Sequence, residues 1–378
     1  MHELAALPAP DLRRTNAYEY ELPPERIAKA PAEPADAARL LYLRADGAFE
    51  HHRFFELPQL LEPGDLLVLN ETRVVRARLR GRRPSGGNAE ILLLHPVAAQ
   101  EAESESAAPL PFDESARRWA ALVRPGRRLG PGAEITLDAQ TVVAIEGVNA
   151  DGTRVVRFDG DEPVGALLER LGEVPLPPYI GEAGRPYAQR YQTIFARVPG
   201  SVAAPTASLH FTPAVFVGLE ARGVELARLV LDVGLGTFRP IASDSIDAHA
   251  MHEERFFIPE ATAEAVARVR KAGGRIVAAG TTVLRALESA AAGNGRVHAG
   301  SGSTGLYVTP GYRFAVVDSL LTNFHFPRST LLVLVAAFAG YERMTRAYQT
   351  ALEGGYRFLS FGDAMLIRRS AERSSAGR

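Results

Sequence analysis

The 378-residue sequence predicts a discontinuous α/β domain interrupted by a small inserted β-barrel of six strands. Two textures carry that expectation. Along residues 73–158, short runs of Val, Ile and Leu alternate with Gly and Pro turns, and no long helical period occurs. On either side, strand-length apolar runs alternate with amphipathic stretches of helical period, the βαβ order of a mostly parallel sheet. Because the barrel texture breaks into that alternation, residues 1–72 and 159–378 read as one domain and 73–158 as the other. Within the insertion, 98–117 is rich in Ala, Glu and Ser and reads as a mobile surface stretch.

Taken in order, the Ala- and Pro-rich start is followed by YEYELPPERIA, a short strand running into a Pro-initiated helical turn. Extended stretches at 39–44 and 48–53 flank Asp46-Gly47, the turn pair that favours a hairpin. The unbroken apolar run in 63–70 reads as a buried strand. Barrel strands are expected at 74–79, 89–94, 119–123, 133–137, 141–147 and 154–158. Arg76, Arg78, Arg80 and Arg82 recur at every second residue and so share one face of an extended chain. With Arg124, Arg127 and Arg128 they form either a basic stripe for RNA phosphate or a solvated barrel face. After a helix at 164–171, the expected order is helix 213–222, strand 226–233, helix 260–272, strand 275–279, helix 282–292 and strand 305–309. Helices at 329–339 and 341–353 and a strand at 358–367 complete it.

Composition excludes several classes of function. Apolar content of 46% and charged content of 23% are those of an ordinary soluble globular protein. A net charge of −1 leaves no global excess of cations, so nucleic acid would have to meet a local patch. Without cysteine there is no disulfide, thiolate metal site or cysteine nucleophile. The first residues lack the order of a signal peptide, and the apolar run 331–339 is far shorter than the roughly twenty residues a span needs. A cytoplasmic protein without membrane contact is expected.

Chemistry-bearing residues collect at the junctions. The stretch 191–212 has neither helical nor strand period; Gly200 and Pro205 punctuate it, Thr206 and Ser208 supply hydroxyls, and His210 titrates nearest neutrality. Thr212 caps the helix opened by Pro213. Gly234 to Phe238 (GLGTF) follows a buried strand and brings backbone close to a ligand, without the spacing of a dinucleotide fingerprint. His249, His252 and Glu253 suggest polar substrate contacts or an acid/base pair rather than a metal site, since spacing names no third ligand. Thr281 and Thr282 open a helix whose free amides form an anion pocket that Arg285 closes. Asn323, His325 and Asp363 stand near further strand ends.

In order, the segments ELPPERIA, PGDLLVLNETRV, LPPYI, RYQTIFA, VAAPTASLHFT, VGLGTF, HAMHEE, GTT with RALE, TNFHFPRSTL and YRFLSFGDAMLI resemble those of the S-adenosylmethionine:tRNA ribosyltransferase-isomerases of the queuosine pathway. The resemblance spans nearly the whole chain. It implies an α/β catalytic domain with an inserted barrel, tRNA and S-adenosylmethionine as partners, no cofactor beyond that co-substrate, no metal and a monomer. The implied reaction moves the ribosyl moiety onto 7-aminomethyl-7-deazaguanine in tRNA and rearranges it to epoxyqueuosine, releasing adenine and methionine. Proton transfer then falls to His210, His249, His252, Glu253, His325 or Asp363. Substrate binding falls to Arg39, Asn70, Thr72, Arg73, Thr206, Phe211, Gly234, Gly236, Thr237, Phe238, Thr281, Thr282, Arg285 and Asn323, with Phe211 and Phe238 stacking on a purine. The chain departs from the family pattern at Ala35, Ala38 and Val283-Leu284, at Glu71 where an aspartate is usual, and at Asp232 where a histidine is usual. A relative that binds RNA without turnover, or that uses another acceptor, is the alternative.

Overall fold

In the computed structural model, residues 10–97, 113, 115–234, 240–291 and 293–369 are described. The strands are β1 (Arg39–Leu43), β2 (Phe49–Arg53), β3 (Leu66–Asn70), β4 (Thr72–Val74), β5 (Arg78–Arg82), β6 (Asn88–Pro96), β7 (Arg118–Arg124), β8 (Glu134–Thr136) and β9 (Val142–Val148). They continue with β10 (Arg154–Phe158), β11 (Val198–Ser201), β12 (Glu225–Leu231), β13 (Glu254–Ile258), β14 (Ile276–Ala279), β15 (Gly300–Thr304), β16 (Ser319–Asn323) and β17 (Ala364–Arg368). The helices are α1 (Leu57–Leu60), α2 (Val164–Leu171), α3 (Pro213–Ala221), α4 (Glu260–Lys271), α5 (Thr281–Ala290), α6 (Thr330–Ala339) and α7 (Tyr341–Glu353).

Nine strands form the main sheet in the order β15-β13-β12-β3-β14-β16-β17-β1-β2. Its centre, β12-β3-β14-β16, is parallel, so those four strands end along one edge. The sheet is covered on both faces, which is why its central strands lack polar alternation. Leu66, Val68, Ile276 and Ala278 pack into one core with Val283, Leu287, Leu332 and Val335, whereas Leu67, Leu69, Val277 and Ala279 pack into the other with Leu57, Val215 and Leu219. Asp46-Gly47 turns β1 into β2, with Gly47 at φ +90, a conformation that suits glycine.

Strands β10-β7-β6-β5-β8-β9 close the barrel. Leu79, Ile91, Leu93, Trp119, Val123, Ile135, Val143, Ile145, Val156 and Phe158 fill it, and Val164, Leu167 and Leu168 of α2 join the same core.

Four expectations are corrected. YEYELPPERIA forms no strand: Thr15–Tyr18 and Pro24–Arg26 are short 3-10 turns, and Tyr20 packs edge-on against Tyr348. The expected strand at 305–309 lies instead at Gly300–Thr304, where β13 supplies the ladder. The last strand begins only at Ala364, because Phe358 and Phe361 are buried in the turn before it. The arginine stripe is not a uniform free face: Arg76 donates to the Gly172 carbonyl at 2.8 Å, Arg78 to that of Leu176 at 3.1 Å, and Arg80 pairs with Glu173 at 3.0 Å. Most of the 98–117 stretch lies outside the described residues.

Candidate functional site

The parallel strands deliver their C-terminal ends to one cleft, as open α/β sheets generally do. Val233 and Gly234 follow β12, Gly280 and Thr281 follow β14, and Thr322 to Phe326 end β16. The narrow arm is lined by Thr206, Thr281, Thr282, Asn323, His325 and Ser360, among others. The wide arm, a cavity of about 360 Å³, takes Asp232, His249, His252, Glu253, Glu254 and Arg285, with His95, Leu122, Asp151 and Thr153 of the barrel. Val233 and Leu331 line both arms, so they adjoin. The wide arm lies within the usual size of small-molecule sites, and the barrel forms one wall of it.

At the β14–α5 junction, Gly280 holds φ +108, and it, not a threonine, is the N-terminal cap of α5. The threonine hydroxyls therefore do not cap the helix. Thr282 Oγ1 is buried with no hydrogen-bond partner among the described residues, an orphan donor beside the cleft and the free amides of the helix start. Nearby, Thr206 Oγ1 donates to Asn323 Oδ1 at 2.9 Å and thereby orients that amide. His325 Nε2 meets Thr322 Oγ1 at 2.8 Å, and burial pushes its pKa down to about 3. Such an imidazole is neutral, so in the resting protein it is a hydrogen-bonding group and not a cation.

Charge gathers in the wide arm. Asp232, directly after β12, contacts Arg255 at 3.3 Å, and its side chain is 20% exposed. Burial raises its pKa to about 6, against the opposing pull of Arg255. Gly200 lies opposite: a Cβ there would run into Asp232 Oδ1, so the carboxylate would have to turn aside. Burial also lowers the pKa of His249, whose ring lies edge-on to Tyr307. Among the described residues, no group of three or more His, Asp or Glu is arranged to hold a metal ion.

The cleft brings together His249, His252, Glu253 and His325 of the proton-transfer candidates, and Thr206, Gly234, Thr281, Thr282, Arg285 and Asn323 of the binding candidates. Others lie elsewhere. His210 is packed behind the cleft against Phe54, its Nε2 3.4 Å from Asn323 Nδ2; burial, then Arg357, lowers its pKa to about 4. Asp363 accepts the backbone N–H groups of Arg39 and Arg357 at 2.9 and 2.7 Å, which makes it a clamp. Arg39 lies over the Tyr356 ring at 3.7 Å and donates to the Gly354 carbonyl. Asn70 ties β3 to the Leu231 backbone, and Thr72 bonds to Ser201. Phe211 is stacked on Phe216 inside the core, so it offers no face to a purine. Arg73 is exposed on β4, outside the cleft lining. Gly236, Thr237 and Phe238 lie outside the described residues.

Arg285 is a further correction. Its guanidinium is ion-paired with Glu254 and donates to the carbonyls of Leu306 and Thr304 at 3.0 and 3.2 Å, while the other Glu254 oxygen accepts the Gly234 N–H at 3.1 Å. It therefore braces the cleft rather than waiting for an anion. Glu254, Asp232, Tyr179 and Ser360 were not among the expected site residues. In the sequence Asp232 stands out as a departure from the family pattern and Glu254 by its place beside Glu253, whereas nothing singles out Tyr179 or Ser360.

The family model described as queuosine biosynthesis protein matches residues 15–367. The chain is 50% identical over 358 residues to the S-adenosylmethionine:tRNA ribosyltransferase-isomerase of Moorella thermoacetica, covering 94% of this chain and 99% of that protein. It is likewise 50% identical over 361 residues to the enzyme of that name from Thermus thermophilus, covering 93% and 98%. A crystal structure of S-adenosylmethionine tRNA ribosyltransferase from Thermotoga maritima is similar at a TM-score of 0.52 and 37% identity, over 93% of this chain and 99% of that one.

Proposed function

The chain belongs to the queuosine biosynthesis protein family, and from that premise we propose that it is a cytoplasmic, monomeric tRNA-modifying enzyme that transfers and isomerises the ribosyl moiety of S-adenosylmethionine. The acceptor is the aminomethyl group of 7-aminomethyl-7-deazaguanine in tRNA, and the products are epoxyqueuosine-tRNA, adenine and methionine. The observation that carries the reading is the two-armed cleft at the parallel strand ends, walled by the barrel. A sulfonium nucleoside needs both an anion pocket and a carboxylate-lined one, and the two arms have these characters.

The orphan hydroxyl of Thr282 and the free amides of α5 donate to the methionine carboxylate. Asp232, ionised above about pH 6, faces the positive charge of the co-substrate. His249, His252 and Glu253 are the groups for taking the proton from the ribose carbon next to the sulfonium and for protonating the departing adenine. Asn323, held by Thr206, and His325, neutral, fix the orientation of polar substrate atoms. Arg285, through Glu254, positions Gly234.

The test is adenine release from S-adenosylmethionine in the presence of tRNA that carries the aminomethyl-deazaguanine. Release that depends on this base supports the reading; release with unmodified tRNA, or none at all, contradicts it.

A further inference from the structure

The net charge of −1 conceals a strong division. Leaving out residues 98–116, the stretch 73–158 has thirteen arginines against five acidic residues, a formal charge of +8; with 98–116 counted it is still +3. The barrel is the basic pole of an otherwise acidic chain. Eight of its thirteen arginines fall into two groups of four. Arg78, Arg80, Arg118 and Arg157 pair with Glu90, Glu173 and Glu146. Arg82, Arg124, Arg127 and Arg128 are exposed, and none of them makes an ion pair among the described residues.

These four share one end of the barrel. The ladder sets Arg82 opposite Asn88 and Glu90 opposite Arg124, and the turn Gly126–Arg128 follows β7 directly. That end adjoins the cleft. Leu122, in the cleft wall, and Arg124 point to the same side of β7, about 7 Å apart along the strand. Arg154 donates to the carbonyls of Leu129 at 2.9 Å and Gly126 at 2.8 Å, and also to that of Gly152. It thereby ties the Arg127–Arg128 turn to the β9–β10 turn, whose Asp151 and Thr153 line the cleft.

We propose that Arg82, Arg124, Arg127 and Arg128 form the docking surface for the phosphodiester backbone of tRNA, placed so that a base beside the bound backbone reaches the wide arm of the cleft. The proposal rests on tRNA being the substrate. Unpaired guanidinium groups at a single edge are what phosphate contacts require, and their cost of desolvation is low because they are exposed.

The experiment measures binding of tRNA carrying the aminomethyl-deazaguanine to the full chain across salt concentrations of about 50 to 200 mM. In the triple variant R124Q/R127Q/R128Q, the dissociation constant rises at least tenfold, and the slope of its logarithm against log salt becomes shallower by about two to three. The corresponding triple lysine variant, which keeps the charges, stays within about threefold of the parent. An unchanged constant and slope in the glutamine variant overturns the proposal, and so does equal loss in the lysine variant. Parent protein that binds with the steep slope but releases no adenine leaves the docking surface standing and removes the enzyme reading; parent protein that binds no tRNA removes both.

Discussion

The guanidinium of Arg285 and the carboxylate of Glu254 form a buried ion pair beneath the cleft, each side chain 6% exposed. The pair joins four elements: the loop after β12 through Gly234, β13 through Glu254, α5 through Arg285, and the carbonyls around β15 to which Arg285 donates. Removing one partner of such a pair leaves a charge uncompensated in the interior. Glu254→Gln is therefore expected to destabilise the protein by about 3 kcal/mol in denaturant unfolding. A glutamine has one acceptor oxygen for the two donors; turned toward Arg285, it leaves the Gly234 amide unpartnered, and the Michaelis constant for S-adenosylmethionine rises in parallel.

Thr282 gives the opposite pattern. Its hydroxyl has no partner to lose among the described residues, so Thr282→Val, which keeps the shape, is expected to leave stability unchanged or slightly improved. Binding of S-adenosylmethionine weakens by about 1 kcal/mol, read by calorimetry as a five- to tenfold higher dissociation constant. Equal affinity in the variant would remove this hydroxyl from the site.

Asp232 titrates at about 6, so kcat/KM for S-adenosylmethionine is expected to rise as pH increases through that value, and Asp232→Asn flattens the limb. Gly200→Ala makes the same point by geometry, since the added methyl displaces the carboxylate without touching its charge. It lowers kcat/KM by about tenfold or more, comparable to the loss from Asp232→Asn.

The two buried histidines make the fold sensitive to acid. His210 and His325 have folded pKa values of about 4 and 3, below the ordinary value of 6.5. Between those limits the unfolded chain binds more protons than the folded one, so their contribution is fully present above pH 6.5 and drains away as pH falls toward 3. Thermal midpoints should drop through this window, and two histidine ring resonances should stay flat in NMR titration from pH 8 to 5. Titration of all nine histidines above pH 5 would contradict the assignment.

The fold was legible where burial dictates residue type. Leu66 to Leu69 face two cores and so had to be apolar throughout, and α7 runs from Tyr341 to Glu353 as its period predicts. Strand β15 was misplaced because Gly-Ser-Gly-Ser-Thr carries no apolar pattern; its conformation comes from the backbone ladder to β13. At the site, residue types near the strand ends were informative, but their partners were not. Nothing in the spacing tells that Asp363 spends both oxygens on backbone amides, that Phe211 faces inward, or that Arg285 is consumed by Glu254. Such commitments arise from contacts far apart in the chain, such as the 324 positions between Arg39 and Asp363.

The most direct test of the account is a crystal structure with S-adenosylmethionine bound. Electron density for the nucleoside in the cleft that Val233 and Leu331 share, with the methionine carboxylate at Thr282 and the sulfonium on the Asp232 side, is the predicted result. Density on another surface, with both arms of this cleft empty, would contradict it.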